Sequence, residues 1–62
     1  MTNKDVKLAN TGVACALAEA DVWLDDDEHK QALIAIADDA AQTTDPYSAA
    51  YDRAADYIGE NL

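Results

Sequence analysis

The sequence predicts an all-α fold, a small three-helix bundle or a helical hairpin with an N-terminal arm, and three observations predict it. Apolar side chains recur at three- and four-residue spacing in three segments, the period of a helix with one buried face. Alanine, the strongest helix former, supplies fourteen of the 62 residues, with one proline and two glycines to interrupt it. The connections, around Asp25 and around Thr43–Thr44, are a few residues long, so consecutive helices are expected as antiparallel neighbours. Residues 1–62 read as a single helical domain, with no repeat, linker or low-complexity stretch.

The first segment opens near Thr2 or Asn3 as N-cap and carries Val6, Ala9, Val13, Leu17, Ala20 and Leu24 along one face. Gly12 interrupts it at a cost of about 1 kcal/mol relative to alanine. Either the helix frays before Thr11, or a neighbouring backbone comes close at Gly12. The second segment opens on the acid run Asp25–Glu28, where the D-x-x-E spacing has the form of a capping box and the carboxylates meet the positive end of the helix dipole. Leu33, Ile36, Ala37 and Ala40 form its expected buried stripe, with Ile34 and Ala41 at the margin, and Gln42–Thr43–Thr44 end it. In the third, Asp45 is the N-cap and Pro46 takes the first helical position, where a missing N–H costs nothing. Tyr47, Ala50, Tyr51, Ala54, Ile58 and either Asn61 or Leu62 follow at helical spacing.

Composition narrows the function classes. Thirteen acidic residues against four basic ones give a net charge of −9, and Lys4, Lys7, Lys30 and Arg53 form no basic stripe, so direct nucleic-acid binding is disfavoured. No apolar run approaches the roughly eighteen residues of a membrane helix, and the first twenty residues are too polar for a signal peptide, so a cytoplasmic protein without membrane contact is expected. The single cysteine, Cys15, fits a reducing compartment. With alanine so abundant the core must be thin, and apolar burial in one subunit only just offsets the entropy of ordering the chain. A twofold homodimer sharing that core is the simplest expectation.

No residue set reads as an active site, and no enzyme, cofactor or metal is expected. His29 is the only histidine, but no serine or cysteine stands at a fixed spacing to act as its nucleophile, and a surface role in the first turn of its helix is the ordinary reading. Cys15, in an alanine-rich stretch without basic neighbours, reads as a packing residue. Asp25–Glu28 lacks the alternate ligand spacing and the glycine of a calcium loop. Paired carboxylates for hydrolysis would need a cleft that a chain of this size has little room for.

An interaction surface is the more informative pattern. Asp52, Asp56 and Glu60 recur every four residues along the third helix, about 6 Å apart, and oppose helix formation by a few tenths of a kcal/mol per pair. Asp38, Asp39 and the Asp25–Glu28 run add to them, giving a surface of regularly spaced negative charge on rigid helices. The plain reading is a solubilising face. The sharper one is a decoy that occupies the phosphate-binding groove of a basic, nucleic-acid-binding protein. Val22–Trp23–Leu24 precedes the acid run, and no helix can bury all three on one stripe. Core packing is the expectation for Trp23, with at least one of the three left to a partner or a second subunit. Tyr57 lies off the Tyr47–Tyr51–Ile58 stripe and is the other candidate interface aromatic.

At Asp26–Asp27, His29, Ala32–Leu33, Ala37–Asp38–Asp39–Ala40 and Pro46–Tyr47 the chain resembles the small acidic antirestriction proteins of bacteriophages, which mimic DNA and block restriction enzymes. The resemblance implies a phage or prophage origin, a helical fold, dimerisation and an inhibitory role. The functional expectation is therefore a non-enzymatic acidic interaction module, an early phage-type inhibitor and DNA mimic. Its partner-binding residues would be Asp38, Asp39, Asp52, Asp56, Glu60, Trp23 and Tyr57, and its partner a basic host protein. The alternative is an immunity- or antitoxin-like partner that binds through the apolar patch around Trp23.

Overall fold

The structure is a computed structural model and describes residues 2–62. It contains three helices, α1 (Asn3–Ala20), α2 (Asp27–Ala40) and α3 (Pro46–Asn61), and no strand among the described residues. Each helix begins where a short polar side chain replaces the missing intrahelical acceptor. Thr2 and Asp5 form a reciprocal capping box, with the Asp5 N–H donating to Thr2 Oγ1 at 3.2 Å and the Thr2 N–H to Asp5 Oδ2 at 3.1 Å. Asp45 accepts from the Ser48 N–H at 3.3 Å, and Pro46 occupies the first turn of α3.

The start of α2 departs from the expected box. Asp26, not Asp25, is the N-cap, and its carboxylate accepts the Glu28 N–H at 2.7 Å. A box centred on Asp25 would need the Glu28 carboxylate to turn back to the Asp25 N–H. With the helix set one residue later, Glu28 contributes its backbone N–H instead.

The end of α1 also differs, and the cause is local. Asp21 adopts the left-handed conformation, with φ of 55° and ψ of 43°. Its N–H bonds to the Ala18 carbonyl at 3.2 Å and the Val22 N–H to the Leu17 carbonyl at 3.2 Å, the paired bonds of a Schellman motif. The turn ends the helix at Ala20, before the Val22–Trp23–Leu24 triplet, so the expected stripe through Ala20 and Leu24 stops at Leu17. Ala20 is exposed. At the end of α2, Thr43 returns both its N–H and its hydroxyl to the Ala40 carbonyl, at 3.0 and 2.7 Å.

α1 and α3 form the main interface, with α2 laid across both. Gly12 explains how they approach. A Cβ built there would lie 2.5 Å from the Tyr47 carbonyl oxygen and 3.0 Å from the Tyr51 nitrogen, so the helix runs unbroken through Gly12 while α3 passes against its bare backbone. The core that results is made largely of alanine: Ala9, Ala16, Ala37, Ala40, Ala41, Ala50 and Ala54 are buried with Val13, Leu33 and Ile58. Small side chains let helix axes close in, which keeps such a core packed. On α2 the buried set is Leu33, Ala37, Ala40 and Ala41, whereas Ile36 is half-buried and Ile34 is 53% exposed.

The direction of the helices follows from connectivity and one contact. His29, in the first turn of α2, bonds Tyr57, near the end of α3. The connection 21–26 brings the end of α1 to the start of α2. The end of α1, the start of α2 and the end of α3 therefore share one pole of the bundle.

Candidate functional site

That pole concentrates the charge. Glu19, Asp21, Asp25, Asp26, Asp27, Glu28, Asp56 and Glu60 belong to it, eight acids against Lys30, leaving −7. The opposite pole holds Asp5, Asp38, Asp39 and Asp45 against Lys4 and Lys7, leaving −2, and Asp52 with Arg53 lies between. Asp5 is half-buried and the other twelve acids are exposed, so the charge faces water.

The acids differ in what they do for the fold. Asp5, Asp26 and Asp45 cap helices, and Asp27 and Glu28 sit in the first turn of α2, where the dipole favours them. Interaction with Glu19, near the end of α1, raises the pKa of the Tyr51 phenol above its usual value, an effect that desolvation reinforces. Asp38, Asp39 and Glu60 lie in the last turns of α2 and α3, at the negative end of the dipole, and no helix has a basic residue in its last turn to offset them. Each costs about 0.3–1 kcal/mol there. A solubilising charge gives the same benefit in mid-helix at no such cost.

The five acids expected to act together are divided by the fold. Asp52, Asp56 and Glu60 line the side of α3 away from buried Ala50, Ala54 and Ile58. Asp56 and Glu60 reach the acidic pole. Asp38 and Asp39 lie at the other end of α2, a helix of 14 residues and so about 21 Å long. That separation is more than two Debye lengths at physiological salt, where the length is about 8 Å, so the two groups attract a partner independently. Consecutive residues also diverge by about 100° around a helix, so Asp38 and Asp39 face different directions.

Trp23 is the largest correction. Expected in the core, it is 87% exposed, because the Asp21 turn releases the chain from α1 before the indole reaches the helix interface. Burial alternates beyond the turn: Val22 and Leu24 are half-buried and Trp23 between them points out. Beside it runs an apolar groove of about 610 Å³ lined by Ala14, Leu17, Ala18, Val22, Trp23 and Leu24, with Asp21 as the one charged residue of its wall. Leu17 and Val22 are the pair that commonly touch across a Schellman motif, so the turn that exposes Trp23 also builds the groove floor.

Tyr57, the other aromatic proposed for an interface, is half-buried and engaged within the molecule. Its hydroxyl lies 2.6 Å from His29 Nδ1, and the two rings meet edge to face with centroids 5.7 Å apart. His29, read from sequence as a solvated residue, is half-buried by the same pairing. Cys15 is half-buried where α1 meets α3, and its interaction with the Tyr47 phenol, reinforced by desolvation, raises that phenol's proton affinity. Among the described residues no three His, Cys, Asp or Glu side chains converge as metal ligands would, and no helix is long and apolar enough to cross a membrane.

Compared with family models, curated proteins and solved structures, the chain matches none. The functional reading therefore rests on the acidic pole and the exposed indole beside it.

Proposed function

We propose that this chain is a non-enzymatic, cytoplasmic, acidic protein-interaction module, a phage-type inhibitor that occupies a basic site on a host protein in the manner of nucleic acid. The observation that carries the reading is the convergence of eight of the thirteen acids, against Lys30, on one pole of a small helical body. Carboxylates fixed on stiff helices present negative charge at regular intervals, and a basic groove evolved for phosphates is the surface that complements them. The Asp52, Asp56 and Glu60 row extends the pole along α3. Asp38 and Asp39 would meet a second, separate part of the partner.

The test is capture of host protein on the immobilised chain at low and physiological salt, followed by competition with duplex DNA. The expected result is a basic protein whose retention falls steeply with salt, is displaced by DNA and is lost with Asp56→Asn/Glu60→Gln. Retention that ignores salt, DNA and these substitutions refutes the reading. Self-association belongs to the same proposal, supported by a core without a fully buried large side chain. A single-subunit mass by sedimentation at micromolar concentration removes it.

The exposure of Trp23 favours a second reading, an immunity- or antitoxin-like partner held by an apolar contact. There the complex tolerates salt and is lost with Trp23→Ala.

A further inference from the structure

The groove beside Trp23 has Asp21 in its wall, and the exposed acids Asp25–Glu28 follow directly on its lining residue Leu24 in the chain. We infer that this surface receives a cationic amphipathic helix of the partner protein, apolar side chains in the groove and lysines or arginines against the surrounding carboxylates. The inference rests on the acidic-module reading and names the kind of segment its pole binds.

Three features select that occupant. The groove wall is apolar apart from Asp21, so it lacks the converging polar groups that orient a small polar ligand. Its volume of about 610 Å³ suits the few side chains that one face of a helix inserts at i, i+3, i+4 spacing. The residues next to it in the chain, Asp21 and Asp25–Glu28, are five carboxylates against Lys30, a rim that complements basic flanks. A second copy of the chain would bring the same five acids face to face, and an anionic lipid surface would meet the same repulsion. The indole is the anchor: an aromatic side chain that is 87% exposed on the free protein has the most surface to lose on docking.

Trp23 is the only tryptophan, so its fluorescence reports this site alone. The intact chain is titrated with three synthetic peptides of equal length: an amphipathic helix of leucine and lysine, the same helix with serine for lysine, and oligolysine. The leucine–lysine helix is expected to shift the emission to shorter wavelength, shield it from iodide and bind about tenfold or more tighter than either control, with Trp23→Ala removing that advantage. Trp23 is exposed, so its replacement leaves the fold in place and the variant's far-UV circular dichroism checks this.

Salt-sensitive binding of oligolysine as tight as that of the leucine–lysine helix, with the indole unmoved, overturns the groove assignment and leaves the acidic-module reading standing. Absence of binding by both cationic peptides at low salt refutes both. Equal binding of the serine helix shows that charge plays no part and overturns the proposal. A blue shift that grows with protein concentration alone assigns the groove to a second copy and overturns it as well.

Discussion

Gly12→Ala is the substitution on which the packing scheme stands or falls. In an exposed helix the change would stabilise the protein by about 1 kcal/mol, since alanine exceeds glycine in helix propensity by that amount. Here the new Cβ would lie 2.5 Å from the Tyr47 carbonyl oxygen, 3.0 Å from the Tyr51 nitrogen and 3.1 Å from Ala50 Cβ. Ordinary contact begins at 3.4 Å, so the carbonyl must retreat by about 0.9 Å. Two of the three atoms are backbone and cannot rotate aside, so α3 itself must move. Overpacking of this kind costs about 1–3 kcal/mol. Parting the helices also opens the alanine layer between them, and a gap of 0.5–1 Å forfeits a quarter to a half of each dispersion contact.

Set against the propensity gain, the net expectation is a loss of about 1–2 kcal/mol, or roughly 5–15 °C in melting temperature for a domain of this size. Gly59→Ala is the matched control. Nothing lies within 4 Å of its added Cβ and its φ is not positive, so only propensity acts and the melting temperature rises. Thermal unfolding followed by circular dichroism, at one protein concentration and pH, measures both. A Gly12→Ala protein that melts at or above the parent temperature would show that α1 and α3 do not meet backbone to backbone.

Other perturbations read individual contacts. Glu60→Lys places a cation in the last turn of α3 and four residues after Asp56, so stability rises by about 0.5–1 kcal/mol by urea unfolding while capture of a basic partner weakens. Asp21→Gly relieves a left-handed backbone, raising stability by about 0.5–1 kcal/mol in the same assay and leaving the groove intact. Tyr57→Phe removes the bond to His29 and costs about 0.5–1.5 kcal/mol; an unchanged urea midpoint would show that the α2–α3 hydrogen bond contributes nothing. Tyr47 and Tyr51 have raised proton affinities in the fold, from Cys15 and Glu19 respectively, so the native state holds those protons more tightly than the unfolded chain. Stability from this source is present in full below the ordinary tyrosine value of about 10 and is lost as pH rises through the higher native values. Melting temperatures should therefore fall as pH rises above about 10, and less so in Tyr51→Phe.

The parts of the fold legible in the sequence are those decided within a few residues. The Asp45–Pro46 start of α3 and the Thr2 cap needed only local hydrogen-bond chemistry, and the alanine-rich character of the core followed from the shortage of larger apolar residues. The end of α1 was not legible, because the apolar pattern ran on through Leu24 and nothing marks Asp21 as left-handed. Glycine or asparagine is the usual residue there. That single backbone conformation decides whether Trp23 is core or surface. The turn at Asp21 thus overturns the expectation of core packing for the indole and leaves the apolar side chains around Trp23 open as a groove.

The acids show a different limit. Their spacing along each helix was readable, but which of them act together depends on the direction in which the helices run. Read along the chain, Asp38, Asp39 and the Asp25–Glu28 run join Asp52, Asp56 and Glu60 in one acidic surface. Antiparallel packing of α2 on α3, fixed by the His29–Tyr57 contact, sends Asp38 and Asp39 to the far pole. It keeps the Asp25–Glu28 run with Asp56 and Glu60 at one pole and adds Asp21 to them. Part of that run had a structural explanation as a helix start, and it still has one, since Asp26 caps α2. One group of carboxylates thus serves two ends: it begins a helix and supplies most of the charge around Trp23. Neutralising Asp26 would therefore disturb fold and surface together, whereas Asp56 and Glu60, which cap nothing, separate recognition from folding and are the positions at which charge-based recognition is best tested.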